Sequence, residues 1–419
     1  MWIGSASRKL AQIASKSDAF CANSLAARVP RTRAECGIHG RGPPATVHSG
    51  CVDANDLEGL GLVDHHVHGV SRADEGRARW EAMLTESDRP QPTAFDSQVG
   101  LSIRRWCAPI LGLPEFASAE AYYARRAELG IHEVNRRFLA ASGIETYLLD
   151  TGFLGDALLG QDEMRSVSGR RVEQVVRIEA VMDAVAAHGV EPHDFPDVFR
   201  RALSQASEHA VGLKSIVAYR HGFGFDPTPP SDADVVHAAR GYLACPEPRV
   251  TDPVLLRFGL WCAVERGLPL QVHAGFGDPD LDLRLADPSL LTPWLRVIES
   301  SGIDVILLHC YPFHRSAGYL AHVFGHVYFD VSLAGTYTGL RSDAVLAESL
   351  ELAPFAKVLF ATDGCGPAEL HYLGARLWRR GMARVLSAWI DDGELSPTDG
   401  LRIARMIGRD NARRLYHLD

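Results

Sequence analysis

Three apolar runs in this chain end in histidine and a fourth ends in aspartate, residue types that together can hold a divalent cation. They are Gly61-Leu62-Val63-Asp64-His65-His66-Val67-His68, Pro269-Leu270-Gln271-Val272-His273, Val305-Ile306-Leu307-Leu308-His309 and Lys357-Val358-Leu359-Phe360-Ala361-Thr362-Asp363. Short, continuous apolar runs read as buried parallel strands. Side chains alternate along an extended backbone, so His66 and His68 share one face and His65 takes the other. Two imidazoles so placed can reach a single ion. A lone His-x-His carries little weight; its recurrence as ligand residues at the ends of separate strands is what points to a site.

Ligands at the C-terminal tips of hydrophobic strands are what an α/β (β/α)8 TIM barrel brings together at its top face. The strand and helix alternation supports that fold. Strand one ends at His68, Ile144 to Asp150 is strand two, Glu173 to Glu179 strand three and Ala210 to Val217 strand four. Strands five and six end at His273 and His309, His326 to Leu333 is strand seven, and strand eight ends at Asp363. Helices are expected over Asp252 to Arg266, with Thr251 as N-cap, over Arg315 to Phe324 and over Pro397 to Tyr416. Between Ser71 and about Gly143, Tyr122, Tyr123, Leu129, Val134, Phe138 and Leu139 recur on one helical face amid arginines. That stretch, about 71–143, is too long for a plain connection, and a helical cap inserted after strand one is expected.

The chain has 419 residues, enough for a decorated barrel spanning 51–419, and its 46% hydrophobic content is ample for one core. A net charge of −9 without a basic stripe argues against nucleic acid and anionic membrane as partners. The eight cysteines form no CxxC pair, which suits reduced thiols and a cytoplasmic protein. Residues 1–50 mix Arg8, Lys9, Lys16, Arg28, Arg31 and Arg33 with Ser and Ala and read as a disordered extension. No apolar run is long enough to span a bilayer. There is no GxSxG elbow and no Walker glycine loop, so serine hydrolysis and nucleotide hydrolysis lack support.

Asp64-x-His66-x-His68, the strand-ending His273 and His309, and the pair Thr362-Asp363 together resemble the metal-dependent amidohydrolase superfamily. Val211-Gly-Leu-Lys-Ser-Ile-Val-Ala-Tyr-Arg220, Leu308-His-Cys-Tyr-Pro-Phe313 and Phe360-Ala-Thr-Asp-Gly364 resemble its amidohydrolase-related branch, and within it the barrel domain of FluG-type proteins. The similarity covers roughly residues 60 to 417. No glutamine-synthetase-like domain follows Asp419, so a free-standing hydrolase is the expectation.

The resemblance implies roles. His66, His68, His273 and Asp363 become metal ligands, a set that suits zinc, with manganese or iron as alternatives. Asp363 also accepts a proton from the attacking water. His309 either binds a second ion or polarises the scissile carbonyl, and Lys214 or Glu179 is the bridging candidate for a second ion. One ion with a catalytic His309 is the preferred reading. From their places after strands four and six, Tyr219, Arg220, His314 and Arg315 are candidate substrate contacts, the arginines suited to a carboxylate. Glu369 and His371 after strand eight are further candidates for the pocket wall.

The expected function is therefore metal-dependent hydrolysis of a carbon-nitrogen amide bond in a small carboxylate-bearing molecule, with a γ-glutamyl amide suggested by the FluG-type similarity. A non-oxidative decarboxylase of the same branch and a non-catalytic binding barrel are the alternatives. Barrels of this type are often homo-oligomers, although no stripe in this chain marks an interface.

Overall fold

The computed structural model describes residues 57–89 and 94–419. The extension read over residues 1–50 lies outside them. Seven parallel strands pair in sequential order: β1 Leu62–Val67, β2 Ile144–Asp150, β3 Arg171–Arg177, β4 Gly212–Ser215, β5 Leu270–Ala274, β6 Val305–His309 and β7 Val327–Phe329. Parallel neighbours need a crossover between them, and helices supply it. The strand residues are apolar with few breaks because the sheet is covered on both faces; every residue of β1, β5 and β6 is buried.

Residues 358–364, expected as strand eight, take the place between β7 and β1 without forming a regular strand. Val358 bridges Phe329, Leu359 N–H donates to Phe329 C=O, His65 N–H to Phe360 C=O and Asp363 N–H to His66 C=O. The regular ladder fails because Thr362 N–H turns instead to the Asp64 carboxylate, 3.0 Å away. The two edges of the sheet are thus joined, consistent with a TIM barrel.

Strands three, four and seven are shorter or displaced relative to the expected ranges. Strand three ends at Arg177, so Glu179 lies in the first turn of the following helix and not at a strand tip. The helices that bear on the site are α1 Arg77–Ala82, α2 Ala119–Leu129, α3 Ile131–Ala141, α4 Ile178–Ala187, α5 Val217–Arg220, α6 Pro253–Arg266, α7 His314–Val323, α8 Ala368–Asp391 and α9 Pro397–Arg405. Asp252, and not Thr251, caps α6: its side chain accepts from Val254 N–H and Leu255 N–H, and Pro253 occupies the first turn where no N–H is needed.

Helices α1 to α3 lie between β1 and β2. Trp80 of α1 stacks on Tyr122 of α2 at 5.6 Å, and α3 buries Val134, Phe138 and Leu139 on one face. Burying such side chains contributes about 1.5–3 kcal/mol each. Arg126 of α2 donates to Glu369 of α8 at 2.9 Å, an ion pair with both partners buried that ties this region to the barrel.

Candidate functional site

β1 delivers His66 and His68 to the same end of the sheet as Asp363. His66 Nε2 lies 3.3 Å and His68 Nε2 3.7 Å from Asp363 Oδ1. His309 Nδ1 approaches Asp363 Oδ2 at 3.4 Å. His66, His309 and Asp363 make one group whose donor atoms lie within 4.8 Å of one another, and His66, His68 and Asp150 make a second. His65 points the other way, its Nε2 2.9 Å from Asp330 Oδ2.

The backbone is bent to place these groups. His309 has φ 67°, Asp363 φ 53° and Leu333 φ 57°, left-handed values that cost non-glycine residues energy and persist where surrounding contacts enforce them. At His309 the enforcement is visible: its N–H donates to Asp330 Oδ1 at 2.9 Å.

Hydrogen bonds also fix the imidazole tautomers. His66 Nδ1–H donates to Gln271 Oε1 at 2.8 Å, and His68 Nδ1–H donates to the Asp150 carbonyl at 3.0 Å. Each Nε2 is left with its lone pair facing the cluster. Ser332 Oγ gives its own proton to Asp330, so the 2.8 Å contact between His309 Nδ1 and Ser332 Oγ has the histidine as donor. His309 Nε2 therefore carries a lone pair too. A neutral imidazole of this tautomer accepts at Nε2 and does not donate there.

Electrostatics favour the neutral, ligating forms. Burial pushes His66, His273 and His309 well below the ordinary histidine value and His68 down to about 4. Burial raises Asp363 to about 6, with His68 pulling the other way. Lys214 is fully enclosed, its Nζ 3.2 Å from His66 Nε2, and burial lowers it to about 8. Asp150 stays below its ordinary value despite burial, because Arg177 Nη2 sits 2.6 Å away.

The buried atoms His273 Nε2, His309 Nε2 and Asp363 Oδ1 have no hydrogen-bond partner. Lone-pair donors of this kind, enclosed and unsatisfied, fit a divalent cation. His273 stands at the wall, its ring centre 4.5 Å from that of His309, outside both of the tight donor groups. Glu179 lies off the cavity wall, on the first turn of α4: Ser215 Oγ and Ile216 N–H donate to its Oε1 at 2.6 and 3.0 Å, and its Oε2 is buried without a partner.

A cavity of about 610 Å³ opens above the cluster, lined by His66, His68, Lys214, His273, His309 and Asp363. Tyr219 and Arg220 of α5 line it. Tyr219 packs against His273 with ring centres 4.5 Å apart, and its hydroxyl accepts from Asp278 N–H at 3.3 Å. Gly277 has to be glycine, since a Cβ there would collide with that hydroxyl. Arg220 bonds Asp183 weakly, at 3.4 Å, and its Nε and Nη1 are buried without an acceptor.

His314 and Arg315 do not reach the cavity. His314 Nε2 lies 2.8 Å from Glu348 Oε2, and Arg315 pairs with Glu351 at 2.9 Å. Helix α7 starts at His314 and turns both side chains toward the neighbouring helix Ser342–Ser349 and the residues after it. Glu369 and His371, expected in a loop, ride on α8 and face inward, Glu369 toward Arg126 and Tyr122.

Several site residues escaped the sequence reading. Asp150 and Asp330 follow apolar strand residues, the same signal that marks Asp363, and Gln271 is a buried amide two residues before His273. Glu86 and Arg177 also line the cavity, and no pattern in the sequence singles Glu86 out.

Comparison with known proteins bears on the family and the fold. Residues 151–418 match the amidohydrolase family profile. Protein fluG of Emericella nidulans is 30% identical over 285 residues, which cover 59% of this chain and 32% of that protein, so the chain spans about a third of its length. A crystal structure of a candidate metal-dependent hydrolase from Lactobacillus casei superimposes with a TM-score of 0.78 at 27% identity, covering 87% of this chain and 97% of the other. A uronate isomerase from Bacillus halodurans shares the fold at a TM-score of 0.58 and 13% identity, covering 87% of this chain and 95% of its own.

Proposed function

The chain belongs to the amidohydrolase family, and on that footing we propose that it is a metal-dependent hydrolase of a carbon-nitrogen amide bond in a small carboxylate-bearing substrate, a γ-glutamyl amide in the preferred form. One observation carries this reading: the histidine and Asp363 cluster shares its cavity with an arginine whose buried Nε and Nη1 lack an acceptor. A guanidinium so presented matches a carboxylate edge.

His66, His68 and Asp363 would hold the ion, with His273 and His309 as further donors and zinc ahead of manganese or iron; one ion is preferred to two. When bound, such an ion acidifies water and polarises a carbonyl. Asp363 would also take a proton from the attacking water and return it to the leaving nitrogen. Lys214 and Arg177 keep positive charge at the wall, and Arg220 anchors the substrate carboxylate. The 71–143 region acts as a cap, contributing Arg79, Met83 and Glu86 to the rim.

No helix among the described residues is long and apolar enough to cross a membrane, and Cys107, Cys245, Cys262, Cys310 and Cys365 are free thiols, which supports a reducing, cytoplasmic setting. Product analysis tests the chemistry. Amine or ammonia is expected from γ-glutamyl and related amides, lost on chelation and regained with zinc. Turnover indifferent to chelation, or carbon dioxide from aromatic acids in place of amine, overturns the proposal.

A further inference from the structure

His65, Gln271, Asp330 and Tyr416 are buried polar side chains that do not line the cavity, yet they form one hydrogen-bonded series between two histidines that do. Two fixed points decide where each proton in the series lies. The first is Asp330. Its Oδ1 accepts from the backbone N–H groups of His309 and Ser332 at 2.9 and 2.7 Å, and from the Ser332 hydroxyl at 2.5 Å. A carboxylate only accepts, so His65 Nε2, 2.9 Å from Oδ2, carries a proton. The second fixed point is the His65 carbonyl. It lies 2.7 Å from Gln271 Nε2, which orients that amide with Oε1 toward His66 Nδ1, 2.8 Å away. Gln271 Nε2 gives its other proton to Tyr416 Oη at 2.9 Å, and the Tyr416 hydroxyl donates to His65 Nδ1 at 3.2 Å.

Every donor in the series therefore points toward Asp330. One arm runs from His66 through Gln271, Tyr416 and His65; the other runs from His309 through Ser332. We propose that Asp330 is a positioning residue for the metal site: through these two arms it holds His66 and His309 with their protons on Nδ1 and keeps both Nε2 lone pairs for the ion. This rests on the reading of the cluster as a metal centre. The short arm keeps two donors apart. The next acceptor within reach of His309 Nδ1–H is Asp363 Oδ2 at 3.4 Å, so without the Ser332 hydroxyl one ligand would bind the other in place of the ion. The long arm depends on the charge of Asp330. Oδ1, fixed by two backbone N–H groups, has to stay an oxygen, so an asparagine at this position turns its amide nitrogen to His65. His65 then has to offer a lone pair at Nε2 and carry its proton on Nδ1, against the Tyr416 hydroxyl.

Two measurements on the full chain test this without any need for turnover. Nitrogen-15 NMR of the histidine side chains in the metal-free protein reads each tautomer, and competition with a chelator reads zinc affinity. The wild type is expected to show His66 and His309 protonated on Nδ1 and His65 on Nε2. Asp330→Asn is expected to move the His65 proton to Nδ1 and to weaken zinc by about 10- to 100-fold. Ser332→Ala is expected to weaken zinc by about tenfold or more, whereas Ser332→Thr, which keeps the hydroxyl, is expected to stay within about twofold of the wild type. An Nε2–H tautomer at His66 or His309 in the wild type, no zinc binding by the wild type, unchanged zinc affinity in Asp330→Asn or Ser332→Ala, or equal losses in Ser332→Thr and Ser332→Ala each overturn the proposal. Should Asp330→Asn fail to fold, the two serine variants decide. The expected tautomers and affinities in a protein that releases no amine from any amide would keep this inference and remove the hydrolase reading; amine release with zinc affinity untouched by these substitutions would do the reverse.

Discussion

Helix α5 after β4 and helix α7 after β6 begin alike and end differently. Each brings a ring and an arginine just past a strand tip, Tyr219-Arg220 in one and His314-Arg315 in the other. The first pair faces the cavity, with two Arg220 nitrogens unanswered. The second is consumed by Glu348 and Glu351. Position after a strand thus brings a side chain near the top of the barrel, but the acids on the neighbouring helix decide where it turns. An arginine held by two oxygens of a close carboxylate is a structural tie; one with a single 3.4 Å contact and two buried nitrogens without an acceptor keeps donors for a ligand.

The strongest way to sharpen the contrast is at the residue both regions surround. Asp363→Asn keeps the shape of the side chain and removes its ability to take a proton, so kcat is expected to fall about 10³-fold or more with the fold intact by circular dichroism. A variant retaining wild-type kcat would break the assignment of Asp363 as the proton carrier.

The next largest effect compares the two arginines directly. Arg220→Ala is expected to lower kcat/KM by about 10²-fold for a carboxylate-bearing amide, chiefly through KM, as a charged hydrogen-bonding group is lost. Arg315→Ala removes an exposed ion pair and is expected to leave kcat/KM within about twofold and stability within about 1 kcal/mol. Similar losses from both substitutions would erase the distinction between the two helices.

Sequence legibility follows the same division. On strands, period two and apolar flanks dictate which side chain faces which way, so His66, His68, His273, His309 and Asp363 could be read as a set while His65 could be set apart. Around the strands the reading weakens for definite reasons. Thr362 gives its N–H to the Asp64 side chain, so the apolar run before Asp363 closes the barrel without a regular ladder. Asp252, one residue past the expected cap, wins because Pro253 next to it starts the helix. Glu86 has no periodic neighbours at all; it lines the cavity together with Tyr337, far along the chain.

The smallest expected effect lies beneath the ligands, at Asp64. This carboxyl is fully buried, and burial raises it to about 8 although Thr362 donates to it through both its N–H and its hydroxyl. In the unfolded chain it titrates near the ordinary 3.8, so between those values the folded protein holds a proton that the unfolded chain releases. Its contribution to stability is complete at acid pH and is lost as pH rises through about 8. Asn at this position can still accept from Thr362 N–H, and its amide can donate to Thr362 Oγ1, which already accepts from Gly364 N–H. Melting of the metal-free protein between about pH 6 and pH 9 should therefore show a smaller decline for Asp64→Asn than for the wild type. Parallel profiles would mean that the proton bound in this window sits elsewhere, with Glu86, lifted to about 7, the next group to substitute.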